Sequence, residues 1–146
     1  VPRRIHFAGL SFILPPRWLD MTQEGEPPTL GKEDGVGVLQ FSVARHAAGV
    51  GLAVGSGTLR ELLLDFGRTH GWGEPTRICQ GRGLGQTHVV SGDFLPAGEC
   101  VRVWYLAAGG DVAFITYVTL LPDDPRVAGE LREASVLIGQ LELELV

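Results

Sequence analysis

"CVRVWYLAAGGDVAFITYVTLL", residues 100–121, decides how this chain folds. Val101, Val103 and Tyr105 alternate with Arg102, Trp104 and Leu106. After the break, Val112, Phe114, Thr116 and Val118 alternate with Ala113, Ile115, Tyr117 and Thr119. A period of two is the signature of a strand. The break "AGGD" is short and carries glycine, so 100–107 and 112–121 are expected to pair antiparallel as a hairpin. Both faces of these runs are rather apolar, which predicts central strands covered on both sides.

Two further strands are expected upstream, at 76–80 and 86–94, set off by "GRGLG" and "LPAGE". Together the four runs form a meander. Before it, Leu59, Leu62, Leu63 and Phe66 recur at helical spacing. Thr58 and Glu61 have the capping-box spacing that starts a helix, and Gly71 is placed to stop it. After the meander, "PDDPRVAGELREASVLIG" (122–139) predicts a second helix. Asp124 is expected as its N-cap and Pro125 as its first residue. Val127, Leu131, Ala134 and Ile138 form its apolar stripe, with Glu130, Arg132 and Glu133 expected mostly elsewhere. "LELELV" at the end alternates and suits a short last strand.

The first part of the chain carries two strands. In "LSFILPPRW" (10–18) the apolar run stops at Pro15 and Pro16, which cannot donate to a ladder. Trp18 is expected to fold over a core edge. "VGVLQFSVAR" (36–45) places Leu39, Phe41 and Val43 on one face and Gln40 and Ser42 on the other. The polar "MTQEGEPPTL" (21–30) and the glycine-rich 46–57 read as loops.

The chain's 146 residues fit one domain, 1–146, with enough length to bury about two thirds of the unfolded surface without a metal or disulfide. The net charge of −5 argues against a nucleic-acid or anionic-membrane partner, since either would want a basic stripe. A basic protein partner fits that charge. No stretch is apolar enough to span a membrane. The N-terminal run mimics a secretory leader weakly, but two prolines end it and no small-residue cleavage site follows. A cytoplasmic protein is therefore expected. Cys79 and Cys100 are too few for a disulfide scaffold, and both lie in expected strands, where reduced, buried thiols are the ordinary case.

The order of elements is strand, strand, helix, four-strand meander, helix: an α+β fold with a mainly antiparallel sheet and helices packed on it. With "LSFILPPRW", "DGVGVLQFSV" and "ITYVTLLPDDP" at their places in that order, the chain resembles the PsbP-like α/β sandwich superfamily. The resemblance covers nearly the whole chain and implies a non-enzymatic domain that binds another protein. It brings no site residue with it. "EDGVGVLQFSV" is also similar to small bacterial immunity proteins that neutralise toxins.

No residue pattern points to catalysis or to a cofactor. His6, His46, His70 and His88 are scattered without metal-ligand spacing. "GRGLG" leads into a strand, and the glycines of 49–57 lack the lysine of a phosphate loop. The serines lack a nucleophile-elbow context. What stands out is acid in the early loops: Asp20, Glu24, Glu26, Glu33 and Asp34. With Trp18 as an anchor, these are the candidate protein-binding residues for a basic partner such as a nucleic-acid-degrading toxin. Their plainer role is a solvated rim that keeps the protein soluble. The alternative function is an apolar-ligand carrier, which would need a deep cavity between sheet and helix.

Overall fold

A computed structural model describes residues 4–7, 9–44, 55–83, 87–108 and 111–143. Ten strands and two helices follow in the order β1 (Arg4–Phe7), β2 (Leu10–Ile13), β3 (Trp18–Asp20), β4 (Thr29–Lys32), β5 (Gly37–Ala44), α1 (Ser56–Thr69), β6 (Thr76–Arg82), β7 (His88–Phe94), β8 (Cys100–Ala108), β9 (Asp111–Thr119), α2 (Arg126–Gly139) and β10 (Glu142–Leu143). The fold is α+β, and all of its strand pairs are antiparallel.

The hairpin expected across 108–111 forms. Cys100 pairs with Thr119, Trp104 with Ile115 and Ala108 with Asp111. These two strands lie inside a seven-stranded sheet of order β3-β4-β5-β9-β8-β7-β6. Alternation sends Trp104, Leu106, Ile115 and Tyr117 to one face, where they pack with Leu39, Phe41 and the buried side of α2. Val101, Val103 and Ala107 go to the other face, against Leu59 and Leu63 of α1. Two apolar faces on one strand therefore meet two covering layers, as the near-continuous apolar runs require.

A second sheet, β1-β2-β10, closes the α2 side and brings Leu10 and Phe12 into the first core. Phe12 stacks parallel to Phe41 at 5.9 Å between ring centres, and Phe7 meets both edge-on. This geometry suits aromatic quadrupoles.

Both helix starts differ from their sequence reading. α1 begins at Ser56 with Gly55 as its cap, and no side chain caps it. Thr58 therefore sits within the first turn, and the expected Thr58–Glu61 capping box does not form. Gly71, with φ +70°, ends the helix as expected. Its amide donates to Arg68 O and that of Trp72 to Gly67 O, the paired bonds of a Schellman motif. Gly67, which weakens a helix on propensity alone, is required by packing. A Cβ there would collide with the Gly73 carbonyl and the Phe94 ring. α2 begins at Arg126 with Pro125 as its cap, one place later than the expected Asp124 cap and Pro125 first residue, although Asp124 Oδ1 accepts from Arg126 N at 2.9 Å and Pro125 has helical torsions.

Two further expectations need correction. The segment 21–30 ends inside β4, because Thr29 and Leu30 are buried and pair with Gln40 and Leu39. Glu130 does not face solvent. It is 2% exposed and lies on the buried side of α2 with Val127, Ala134, Leu137 and Ile138. Leu131 is only partly buried beside that core. Leu131→Asp should still lower stability by about 1–3 kcal/mol, because it forces a charge towards apolar neighbours. Chemical denaturation checks this, and a midpoint equal to that of the native chain would place Leu131 outside the packed interface. The expected loop over 46–57 lies largely outside the described residues.

Candidate protein-binding surface

The acidic candidates do not form one face. Asp20 closes β3, and Glu24 and Glu26 lie in the 21–28 connection that follows it. Glu33 and Asp34 lie in the turn from β4 to β5. Because β3 and β4 are antiparallel, these two groups occupy opposite ends of one hairpin. Asp20 Oδ1 accepts from Thr22 N at 2.9 Å, and its bonds to Thr22 lower its pKa. Arg17 stands 3.9 Å from Glu33 and 3.7 Å from Asp34, all with exposed side chains. Pairs this open contribute little to stability.

Trp18 fits its core-edge reading and not its reading as an anchor. It opens β3 with 2% of its surface exposed and belongs to the first core. The register fixes this: Trp18 is opposite Lys32, and its ring points inward while Leu19 points out. Its indole N–H is buried and has no hydrogen-bond partner among the described residues. A buried ring cannot serve as an accessible anchor.

The end of the main sheet that carries Glu33 and Asp34 has other features. The β7–β8 turn exposes Leu95 at 69%, and the segment after β9 exposes Leu120 at 68% and Leu121 at 52%. Elsewhere leucines are mostly buried, so these are exceptions. The segments are neighbours, because Phe94 pairs with Val101 while Cys100 pairs with Thr119. A shallow depression joins Gly98, Leu120, Leu121, Pro122, Asp123 and Asp124. Glu99 and Asp123 lie on the same segments as the leucines, and the pairing of Gly37 with Thr119 puts Glu33 and Asp34 at the same end, in a depression with Arg17, Lys32 and Arg126. Arg126 binds Asp124 through Nε and Nη2, at 2.9 and 2.8 Å. Those bonds, with the one from the Arg126 amide, hold the Asp124 carboxyl down at about 2. Arg126 Nη1 also donates to Asp34 O at 3.0 Å.

A buried node fixes this end. Glu130 Oε2 accepts from Val36 N at 2.9 Å, and Oε1 accepts from Gly37 N at 3.0 Å and Tyr117 OH at 2.8 Å. One carboxylate thereby joins α2, the β4–β5 turn and the centre of β9. Thr119 Oγ1 donates to Val36 O at 2.8 Å and accepts from Leu121 N at 3.1 Å. The turn bearing Glu33 and Asp34 and the segment bearing Leu120 and Leu121 are thus tied to the same residues. Gly37 has to be glycine, since a Cβ would enter the Tyr117 ring. Burial, then the bond to Glu130, pushes the Tyr117 hydroxyl far above its ordinary pKa.

No protein-family model matches this chain, and no curated protein matches it. The surface has to be read from its own chemistry. Among the described residues no cluster of three or more His, Cys, Asp or Glu could hold a metal. His70 lies beside the C-terminus of α1, its Nδ1 2.9 Å from Phe66 O, and His88 is half-buried in β7. His46 and the glycines of 49–54 lie outside the described residues. No helix among those described is long and apolar enough to cross a membrane.

The cysteines are free and unequal. Cys100 is half-buried, and burial and Asp93 push its thiol pKa up. Cys79 is exposed on the edge strand β6, against the expectation of a buried thiol. Sequence reading missed the exposed leucines because it ran the last meander strand to Leu121. The ladder stops at Thr119. The proline and two acids that follow at 122–124 are the signal that could have shown it.

Proposed function

We propose that this is a non-catalytic protein-binding domain of the PsbP-like α/β sandwich type, acting on a basic protein partner. The binding end is built from Leu95, Leu120 and Leu121, with Glu33, Asp34, Glu99 and Asp123 on the turns at the same end of the sheet. The observation that carries the reading is the exposure of Leu120 and Leu121 on a segment tied to one buried node, with Leu95 exposed on the neighbouring β7–β8 turn. Loops on a rigid scaffold are the usual place for recognition, and apolar centres with polar rims are the usual anatomy of an interface. The acids select a partner of opposite charge and speed its approach. A nucleic-acid-degrading toxin has that charge, so an immunity role fits the same surface. Free thiols, one of them exposed, support a reducing, cytoplasmic setting. The depressions described above are open to solvent, unlike the deep apolar cavity a carrier needs, so they give the carrier alternative no support.

The test is parallel affinity capture from the native source with the native chain and with Leu120→Ser/Leu121→Ser. These leucines lie outside the core, so the variant should melt with the native chain. A basic protein held by the native chain and reduced about tenfold or more on the variant is the expected result, since hot-spot side chains each carry about 1–2 kcal/mol or more. Equal retention of every captured protein by both would overturn the reading.

A further inference from the structure

We infer that the groove between α2 and the β6–β8 part of the sheet binds an extended acidic peptide segment of another protein. This face meets the leucine-bearing end at Pro122 and Asp124 and has the opposite charge. Of the described β6 and β7 residues only Val89 packs against the α2-side core, which leaves a groove between α2 and this part of the sheet. The groove holds about 420 Å³, with Arg77, Arg82 and Arg102 on its sides and Val89, Trp104 and Ile138 in its lining. A second depression of about 420 Å³ shares Arg77 and Arg102 and continues to Pro122 and Arg132. The two follow α2, whose 14 residues make a wall about 20 Å long. That length accommodates about six extended residues.

The arginines are placed, not scattered. Arg77 has φ +52°, a left-handed conformation uncommon for a long side chain. It lies where the β6–β7 register shifts between Thr76 and Cys79. Such bulges re-aim side chains. Arg102 is locked by Asp93 through Nε at 2.6 Å and Nη2 at 2.9 Å, and its guanidinium carbon lies 6.0 Å from the Trp104 ring centre. Among the described residues, Arg102 Nη1, Arg77 and Arg132 have no acidic partner. Asp124 is the one carboxylate lining these depressions, and Arg126 already holds it. The last carbonyls of α2 are engaged too: Leu137 O by Gln140 N and Ile138 O by Leu141 N.

Guanidinium forks match carboxylates in geometry and charge. The apolar lining suits the alternate side chains of an extended strand, which point to opposite faces. A compact small molecule would leave much of its surface wet in so open a groove, whereas ligand pockets bury most of theirs. A nucleic-acid strand would want aromatic faces for its bases to stack on, and the aromatic of the lining, Trp104, is buried.

The test uses a fluorescein-labelled octapeptide alternating Glu and Leu, a Lys and Leu counterpart, and an eight-nucleotide single strand. Fluorescence anisotropy should show saturable binding of the acidic peptide alone. Arg77→Glu/Arg132→Glu, exposed on both counts, should weaken it by about tenfold or more without moving the melting temperature. Cys79 lines the groove and Cys100 does not. Bound peptide should therefore slow alkylation of Cys79 by iodoacetamide and leave Cys100 unchanged. Absence of saturable acidic-peptide binding overturns the inference. So does preference for the oligonucleotide, or binding indifferent to the arginine reversal and to Cys79 protection.

Discussion

Glu130→Ala should destabilise the fold by about 3–5 kcal/mol, since it strands several buried donors at once. The amides of Val36 and Gly37 and the Tyr117 hydroxyl all spend their protons on this carboxylate. With alanine there, no nearby group replaces the acceptor, and water must enter or the turn must open. Glu130→Gln keeps one amide oxygen and should cost less than the alanine variant. Tyr117→Phe removes one donor of the three and should cost about 1 kcal/mol. A pH dependence follows. The folded state holds Tyr117 neutral well above its ordinary pKa. The unfolded chain loses that proton near pH 10, so above about pH 10 it binds fewer protons than the folded state and stability falls as pH rises. In Tyr117→Phe that fall should be shallower, although Tyr105, pushed up to about 12 by burial, keeps part of it. Urea midpoints for the variants across neutral and alkaline pH measure both effects. A native-like midpoint for Glu130→Ala would mean that the node holds nothing together.

Trp18→Ala should cost about 3–5 kcal/mol, the range for truncating a large aromatic in a packed core. The ring is 2% exposed and is counted in the core with Leu30, Leu39 and Phe41. Trp18→Phe should be far milder. It keeps most of the apolar volume and removes a buried N–H that has no partner among the described residues, which is itself unfavourable. The pair of variants separates a core residue from a surface anchor. For an anchor, Trp18→Ala would leave stability unchanged and act on binding alone. Thermal or urea unfolding of the two variants decides, and a native-like Trp18→Ala would contradict the placement.

The centre of the fold was legible because its signals are local. Alternation from Val101 to Thr119 with a short glycine turn leaves one sensible pairing, and two apolar faces demand two covering layers. The edges were less legible. β3 and β4 are three and four residues long, and prolines between them mask a hairpin that only burial of Trp18, Thr29 and Leu30 reveals. Glu130 follows Val127 by three and precedes Ala134 by four, so spacing alone puts it on the apolar face. Its charge pulled the reading outward, and the three donors that justify burial come from 36, 37 and 117, far off in the chain. The acidic residues looked like one cluster because they are close in sequence. An antiparallel hairpin separates such neighbours, and it brings the β4–β5 turn beside Leu120 and Leu121 instead.

The most direct measurement is the association rate of the captured basic partner with the native chain and with Glu33→Lys/Asp34→Lys, at low and at high salt. Both residues are exposed, so the core is untouched, and a small fall in melting temperature is expected only from placing lysine on the left-handed backbone of Asp34, φ +58°. Charge complementarity acts mainly on the encounter rate and is screened by salt. The predicted result is slower association of the variant at low salt, by about tenfold, with the two rates converging as salt rises. Equal association rates at low salt would contradict the assignment of this end as the binding surface.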